Sequence, residues 1–218
     1  MKLQMKPHNL PGYLFVFCGL DGSGKTTQIG LLRDYMQEQG LSVQLTKQPT
    51  NAVRKSQIFR TYMDAPDHSA YDYRALSLLC ASDRVQHTNK EIVPRLSAGE
   101  LVISDRYFYS CLANLRARGY TKDQWIYEIA GCIPQPDIAF FMDVDVDTAV
   151  TRVRSRENEK NRYIDIRLQY RLREQYLEIA KDIGGVIIHT GKSIEEAFQA
   201  VRASVMEVLQ KSSRACNQ

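Results

Sequence analysis

The 218-residue sequence predicts a three-layer α/β fold, a parallel five-stranded sheet with helices on both faces. Three observations carry that expectation. Strand-like and helix-like segments alternate from the first apolar run to the last, the pattern that yields a parallel sheet covered on both sides. Residues 19–26 read Gly-Leu-Asp-Gly-Ser-Gly-Lys-Thr, a complete G-x-x-x-x-G-K-[ST] phosphate-binding loop set between an apolar run and a helical pattern. No repeat, low-complexity linker or shift in composition divides the chain, so residues 1–218 are expected to form one domain.

The elements follow in order. Tyr13-Leu14-Phe15-Val16-Phe17 opens a strand over 13–18, and helical patterning resumes over 25–39. Further strands are expected at 41–46, 101–104, 137–142 and 185–189, each short, apolar and bounded by turn residues. Helices are expected at 71–97, 108–117, 122–132, 146–156, 166–182 and 193–209. In the last, Ile194, Ala197, Phe198, Val201, Val205 and Val208 recur at helical spacing, and Ser193 with Glu196 has the spacing of a capping box. The run 156–162, Arg-Glu-Asn-Glu-Lys-Asn-Arg, has no apolar pattern. It reads either as a solvated loop or as a mobile flap over a phosphate site.

Composition excludes several classes. The net charge of +4 is mild, and Lys and Arg are dispersed among acids. Local cationic clusters then suit nucleotide phosphates, and no nucleic-acid partner is expected. Cys18, Cys80, Cys111, Cys132 and Cys216 form no C-x-x-C pair and have no histidine at zinc-ligand spacing, which argues against a disulfide framework and fits a reducing, cytoplasmic setting. Residues 1–11 are polar and lack the apolar stretch of a secretory signal. The longest apolar runs fall far short of the ~20 residues that span a bilayer, so no membrane partner is expected.

The phosphate loop names its own chemistry. Gly19, Gly22 and Gly24 let backbone N–H groups approach phosphate without an intervening Cβ. The helix that follows adds its N-terminal dipole. Asp21, Ser23 and Thr27 belong to the same cradle, Lys25 is placed to reach the β- and γ-phosphates, and Thr26 to hold Mg²⁺. A second strand ends in Asp105-Arg106-Tyr107. A carboxylate at a strand end beside a phosphate loop suits Mg²⁺, and the planar fork of Arg106 suits a phosphate. Without the loop the same pair would read as a surface Asp–Arg contact.

Taken together, these motifs resemble the thymidylate kinase family of phosphate-loop nucleotide kinases. The resemblance rests on residues 17–28, on Asp105-Arg106-Tyr107, on Asp83-Arg84-Val85-Gln86, on Pro136-Asp137 before the strand leading to Asp143-Val144-Asp145, and on the charged segment 156–165. It implies a homodimeric cytoplasmic enzyme that uses ATP and Mg²⁺ to phosphorylate a deoxynucleoside monophosphate, with dTMP first among candidates. The alternatives are another pyrimidine nucleotide or nucleoside as acceptor, or a non-catalytic nucleotide-binding protein. By resemblance, Asp21 contacts the acceptor sugar, Arg106 positions the acceptor phosphate, Arg60, with Arg54 as second choice, supplies the further acceptor-phosphate arginine, and Arg84 contacts the acceptor nucleotide. Thr46-Lys47-Gln48-Pro49 matches the family's Arg-Glu-Pro turn. Because position 23 is Ser, the resemblance moves the catalytic cation to a lid at about 154–165, drawn from Arg154, Arg156, Lys160 and Arg162, with Arg156 and Arg162 chosen. No general base is needed, since an acceptor phosphate oxygen is already a nucleophile.

The acceptor side departs from that pattern. Cys80 stands where the family commonly has a stacking Phe, Gln48 replaces a Glu, Cys111 and Asn114 stand at base-reading positions, and Cys18 replaces a Glu before the loop. Base–aromatic stacking is worth roughly 1–3 kcal/mol. Its loss calls for another ring, from Tyr73, Tyr107, Phe108 or Tyr109, for a wider pocket that takes a modified or different base, or for a loss of efficient kinase activity. Cys18, Cys80 and Cys111 are expected to be small apolar fillers, and a pocket shared by all three is the other reading.

Overall fold

In the computed structural model, which describes residues 3–211, five apolar runs pair in parallel as β1 (Tyr13–Gly19), β2 (Val43–Lys47), β3 (Leu101–Asp105), β4 (Ile138–Asp143) and β5 (Val186–His189). Their order is β2-β3-β1-β4-β5. Every residue of β1 and β4 is buried, as strands covered on both faces require. Alternation along β1 sends Leu14, Val16 and Cys18 into one core and Tyr13, Phe15 and Phe17 into the other. The second core is closed by α1 (Lys25–Glu38) and by α10 (Ile194–Lys211). The first is closed by α4 (Tyr73–His87), α6 (Tyr109–Ala117) and α9 (Ile166–Ile183). Phe17 pairs with Asp105, and Lys47 with the same residue, so the carboxyl ends of β1, β2 and β3 lie level. The direction of winding reverses between β1 and β3: the connection leaving β1 carries α1 over one face toward β2, and the one leaving β3 carries α6 over the other toward β4, and ligands enter such sheets at that point.

The expected strands and most helices are present with shifted ends. Segment 71–97 is one helical rod with a change of pitch: α4, a π-helical turn over Thr88–Ile92, then α5 (Val93–Ser97). Pro94 has no N–H to donate and its ring crowds the carbonyl four residues back, so the turn ahead of it widens. Helix α7 (Trp125–Ala130) is shorter than expected. Two helices were not anticipated, α2 (Asn51–Arg54) and α3 (Gln57–Asp64), the latter capped by Ser56 Oγ, which accepts from Phe59 N at 3.4 Å. Helix α8 (Val146–Arg154) is capped by Asp145, and α9 by Asp165. The charged segment between them carries only a 3₁₀ turn at Glu157–Glu159. The capping box at α10 is formed: Glu196 N donates to Ser193 Oγ at 3.1 Å and Ser193 N to Glu196 Oε2 at 3.4 Å. Cys216 lies outside the described residues. Among those described, no helix is long and apolar enough to cross a membrane.

Candidate active site

The phosphate loop leaves β1 at Gly19 and turns through Gly22 and Gly24, both at φ +83°. At Gly22 glycine is required by packing as well, because a Cβ would meet the Ala149 carbonyl oxygen of α8 at 2.1 Å. Ser23 is fully buried, and its carbonyl accepts from Thr190 Oγ1 at 3.0 Å. Lys25 is curled back on the loop: Nζ donates to Leu20 O at 2.5 Å, Gly19 O at 3.2 Å and Ser23 Oγ at 3.5 Å. Burial pushes its pKa down to about 7, Arg106 adds to the lowering, and Asp21 and Asp105 oppose it. Thr26 and Thr27 lie exposed at the first turn of α1 and line the same cavity.

Arg106 leaves β3 at φ 69°, the one positive φ among the described non-glycine residues. Such a backbone costs about 1–2 kcal/mol. It is held by Arg106 N donating to Phe17 O at 2.8 Å and by Ser104 Oγ donating to Arg106 O at 2.7 Å. The strained turn aims the guanidinium at the loop, where it donates to Asp21 Oδ1 at 2.5 Å, Gly19 O at 3.2 Å and Tyr176 Oη at 3.1 Å. The other oxygen of Asp21 accepts from Arg162 Nη2 at 2.9 Å. Burial alone would raise the Asp21 pKa, but Arg106, Lys25 and Arg162 together hold it far below the carboxylate range. Asp105 takes Lys47 Nζ at 2.7 Å on Oδ2, while Oδ1 is buried with no hydrogen-bond partner among the described residues. Burial again pushes upward there, and Arg106, Lys25 and Lys47 prevail to keep the group ionised.

These groups line one end of a cavity of about 790 Å³. The other end is walled by α2, α3, α4 and α6. Arg84 is buried there, its Nε donating to Tyr107 O at 3.3 Å and its Nη1 to Cys80 O at 2.9 Å. Arg54 lines the cavity from α2, with Nε donating to Pro49 O at 2.8 Å. Burial lowers its pKa, and the nearby Arg106 charge lowers it further. Arg60 stands at the mouth with its side chain 55 % exposed and paired to Asp64. Arg54 thus lies within reach of the Arg106 charge, while Arg60, the one put first from sequence, lines the same cavity with its guanidinium on Asp64. In the segment between α8 and α9, Arg156 and Arg162 both line the cavity, whereas Arg154 and Lys160 do not. Arg156 is half exposed and pairs with Glu159 at 3.4 Å; Arg162 is the one that reaches the phosphate loop.

Several expected acceptor contacts are placed differently. Gln48 is fully buried and away from the cavity, with Nε2 3.1 Å from His87 Nδ1. Its strand-end position turns the side chain toward α4, so it is a support and not a lining residue. Asn114 lines the cavity, but its amide is occupied: Nδ2 donates to Ser110 O and Oδ1 accepts from Arg118 Nη1, both at 2.9 Å. Cys80 and Cys111 line the cavity; Cys18 lies in the core beside Ser110 Oγ, so the three do not share a pocket. Burial pushes the Cys18 thiol up to about 11 and that of Cys111 up to about 12. Of the four rings proposed to replace the missing Phe, only Tyr73 lines the cavity; Tyr107 is fully buried with its hydroxyl on Pro134 O, and Phe108 and Tyr109 pack in the core. Tyr73 carries the Arg118 guanidinium 4.0 Å above its ring. Phe59 and Tyr62 of α3 line the same region and were missed because α3 was not recognised. Arg152 was also missed. It ties α8 to the loop and to the β5 end through Gly22 O at 3.5 Å and Thr190 O at 2.9 Å.

The architecture is a phosphate loop facing a cation-lined acceptor chamber, and comparison with known proteins agrees with it. The thymidylate kinase family model matches residues 17–201. A probable thymidylate kinase of Pyrococcus abyssi is 37 % identical over 204 residues, covering 91 % of this chain and 98 % of that protein. Its counterpart in Pyrococcus horikoshii is 37 % identical over 201 residues, covering 91 % and 98 %. A thymidylate kinase of a Geobacillus species is 31 % identical over 211 residues, covering 92 % and 99 %. The chain belongs to the thymidylate kinase family.

Proposed function

We propose that the protein transfers the γ-phosphoryl group of ATP to the 5′-phosphate of dTMP, giving dTDP and ADP. The observation that carries this reading is one cavity with the phosphate loop, Arg106 and Arg162 at one end and Arg54 and Arg84 at the other. An oxygen of the acceptor phosphate forms the new bond to the γ-phosphorus as the bond to the ADP oxygen breaks. Both partners are anions, so the protein's task is to neutralise and align them. Lys25 would turn from the loop carbonyls onto the donor phosphates. Arg106 and Arg54 would hold the acceptor phosphate, and Arg84, with its second terminal nitrogen not engaged by these bonds, would face the acceptor base.

Arg162 would leave Asp21 for the transferring group, where a preorganised cation in a water-excluded site gives its largest effect. Segment 154–165 is on this reading a mobile lid, and Asp21 its docking point, in addition to the sugar contact that resemblance implies. The donor set at the loop fits Mg²⁺: Asp105 Oδ1 is buried without a partner among the described residues, and Thr26 lines the cavity. Thr26 and Asp105 would hold the ion, which supplies charge neutralisation on the donor phosphates. Family membership supports a cytoplasmic homodimer; the exposed Leu78 and Leu79 of α4 are available to an interface, and light scattering tests the assembly.

A coupled assay of ADP release over a panel of nucleosides and nucleoside monophosphates tests the reaction. Release with dTMP and not with thymidine is expected. Release with nucleosides alone, or with no acceptor, overturns the proposal.

A further inference from the structure

Helix α4 carries two side chains, one turn apart, that grip the segment bearing Arg54, and neither lines the cavity. Asp83 accepts from Thr50 twice, from the backbone N at 2.8 Å and from Oγ1 at 2.5 Å. His87 stands four residues on, and so on the same face of the helix. Its Nε2 is 2.8 Å from Thr46 Oγ1 and its Nδ1 is 3.1 Å from Gln48 Nε2. Between these two grips lies Pro49, whose carbonyl accepts from Arg54 Nε. The path is continuous: α4, then Gln48 and Thr50, then Pro49, then the Arg54 guanidinium. Helix α2 is one turn long and supplies little rigidity of its own, so the placement of Arg54 depends on those two grips.

The chemistry of the His87 contact is specific. Gln48 Nε2 donates to Nδ1, so the imidazole is neutral and its Nε2–H donates to Thr46 Oγ1. One ring therefore fixes both the end of β2 and the turn after it. Gln48 Oε1 has no partner among the described residues, which leaves the amide's orientation set by His87 alone.

We propose that His87, together with Asp83, is a positioning residue that sets where Arg54 meets the acceptor phosphate. The proposal rests on the reading of Arg54 as an acceptor-phosphate ligand. Its effect travels through geometry, and a displacement of about 1 Å at a reacting group can cost on the order of 100-fold in rate.

The test uses the full-length enzyme and separate Michaelis constants for dTMP and ATP. In His87→Asn the side-chain amide stands where Nδ1 stood and keeps the Gln48 contact. In His87→Gln the amide stands where Nε2 stood, keeping Thr46 and losing Gln48. His87→Gln should raise KM for dTMP about 10-fold while KM for ATP stays within about twofold, and His87→Asn should stay within about threefold of the parent for both. Gln48→Leu cuts the same contact from the other side and should match His87→Gln, and the double variant should be no worse than either single one. Thermal melting confirms that each variant is folded; if His87→Gln is not, Gln48→Leu carries the test. An unchanged KM for dTMP in the variants that lose the contact, an equal rise for ATP, or an Asn variant as impaired as the Gln variant overturns the proposal. Arg54→Gln separates the two layers. If it leaves KM for dTMP unchanged, the reading of Arg54 fails; if it raises KM while His87→Gln and Gln48→Leu do not, the role of His87 fails.

Discussion

Lys25 offers the sharpest link between structure and solution behaviour. In the structure it is buried against two carbonyls and a hydroxyl, with a pKa of about 7 against an ordinary 10.5. Nucleotide phosphates demand the ammonium form and raise the pKa again. ATP binding must therefore draw a proton from solution wherever free Lys25 is neutral. At about pH 8, roughly a tenth of the free enzyme carries the proton, so binding should take up about 0.9 proton per ATP, and at about pH 6 close to none. Affinity should fall toward tenfold per pH unit above about pH 8, or about 1.4 kcal/mol for each. The assay is calorimetric titration with a non-hydrolysable ATP analogue in two buffers of different ionisation enthalpy, the difference in heat giving the protons exchanged. Lys25→Arg is the control, because a guanidinium stays charged throughout and its uptake should vanish. Equal uptake in the two proteins, or no uptake in the parent at the higher pH, refutes the argument. The sign for folding follows from the same shift. Between about 7 and 10.5 the unfolded chain binds a proton that the folded one has released, so this group makes the free protein more stable as pH rises through that window.

Other perturbations give equally definite outcomes. Gly22→Ala combines left-handed strain of about 1–2 kcal/mol with an overpacking cost of about 1–3 kcal/mol against Ala149, whereas Gly40→Ala, at φ +82° with open space around it, meets only the strain. Differential scanning calorimetry should show the larger fall in Tm for Gly22, at about 2–4 °C per kcal/mol for a chain of this length; equal falls would mean the loop yields to the added Cβ. Arg162→Gln should lower kcat on the order of 100-fold with little effect on KM for dTMP, and Arg156→Gln should cost far less, since only Arg162 reaches the phosphate loop; the reverse ranking in steady-state kinetics would reassign the lid cation. Asp143, held by Arg173 at 2.7 and 3.1 Å and by His189 at 3.1 Å, has its pKa lowered chiefly by the Arg173 hydrogen bonds. Its contribution is fully present above the unfolded carboxylate pKa of about 4 and is lost as pH falls through the folded value, so Asp143→Asn should cost about 2 kcal/mol near neutrality and flatten the acid limb in urea melts.

The sheet was legible because buried parallel strands must be short apolar runs, and nothing else in this chain reads that way. The donor half was legible because the phosphate loop is a contiguous motif whose function lies mostly in its backbone. The acceptor half depends on where side chains point. Helix α2 is a single turn, too short to show periodicity, so the placement of Arg54 could not be read in advance; α3, behind its Ser56 cap, does carry Ile58, Phe59 and Tyr62 on one face, a signal that went unread. Gln48 occupies a motif position whose sequence says nothing of its rotamer, and only the approach of His87 turns it inward. Cys18 was legible as an apolar filler: it alternates with Leu14 and Val16, which commits it to the core. Cys80 and Arg84 are four apart on α4, and Cys111 and Asn114 three apart on α6, which explains why those pairs do share the cavity.

The paired arginines on Asp21 have a consequence for turnover. Arg106 and Arg162 share a counter-ion in Asp21, so two like charges lie close to one loop without repelling each other apart. In the proposed roles of Arg106 and Arg162, an incoming phosphate would not meet bare cations; it would compete with a carboxylate for donors that are already satisfied. Binding is thus an exchange of one anion for another, and its net gain is smaller than the number of positive charges suggests. The same exchange runs backwards after transfer, when Asp21 can reclaim both guanidinium groups and help the diphosphates depart. A site that works by this exchange would give up tight retention of its ligands in return for rapid release of its products.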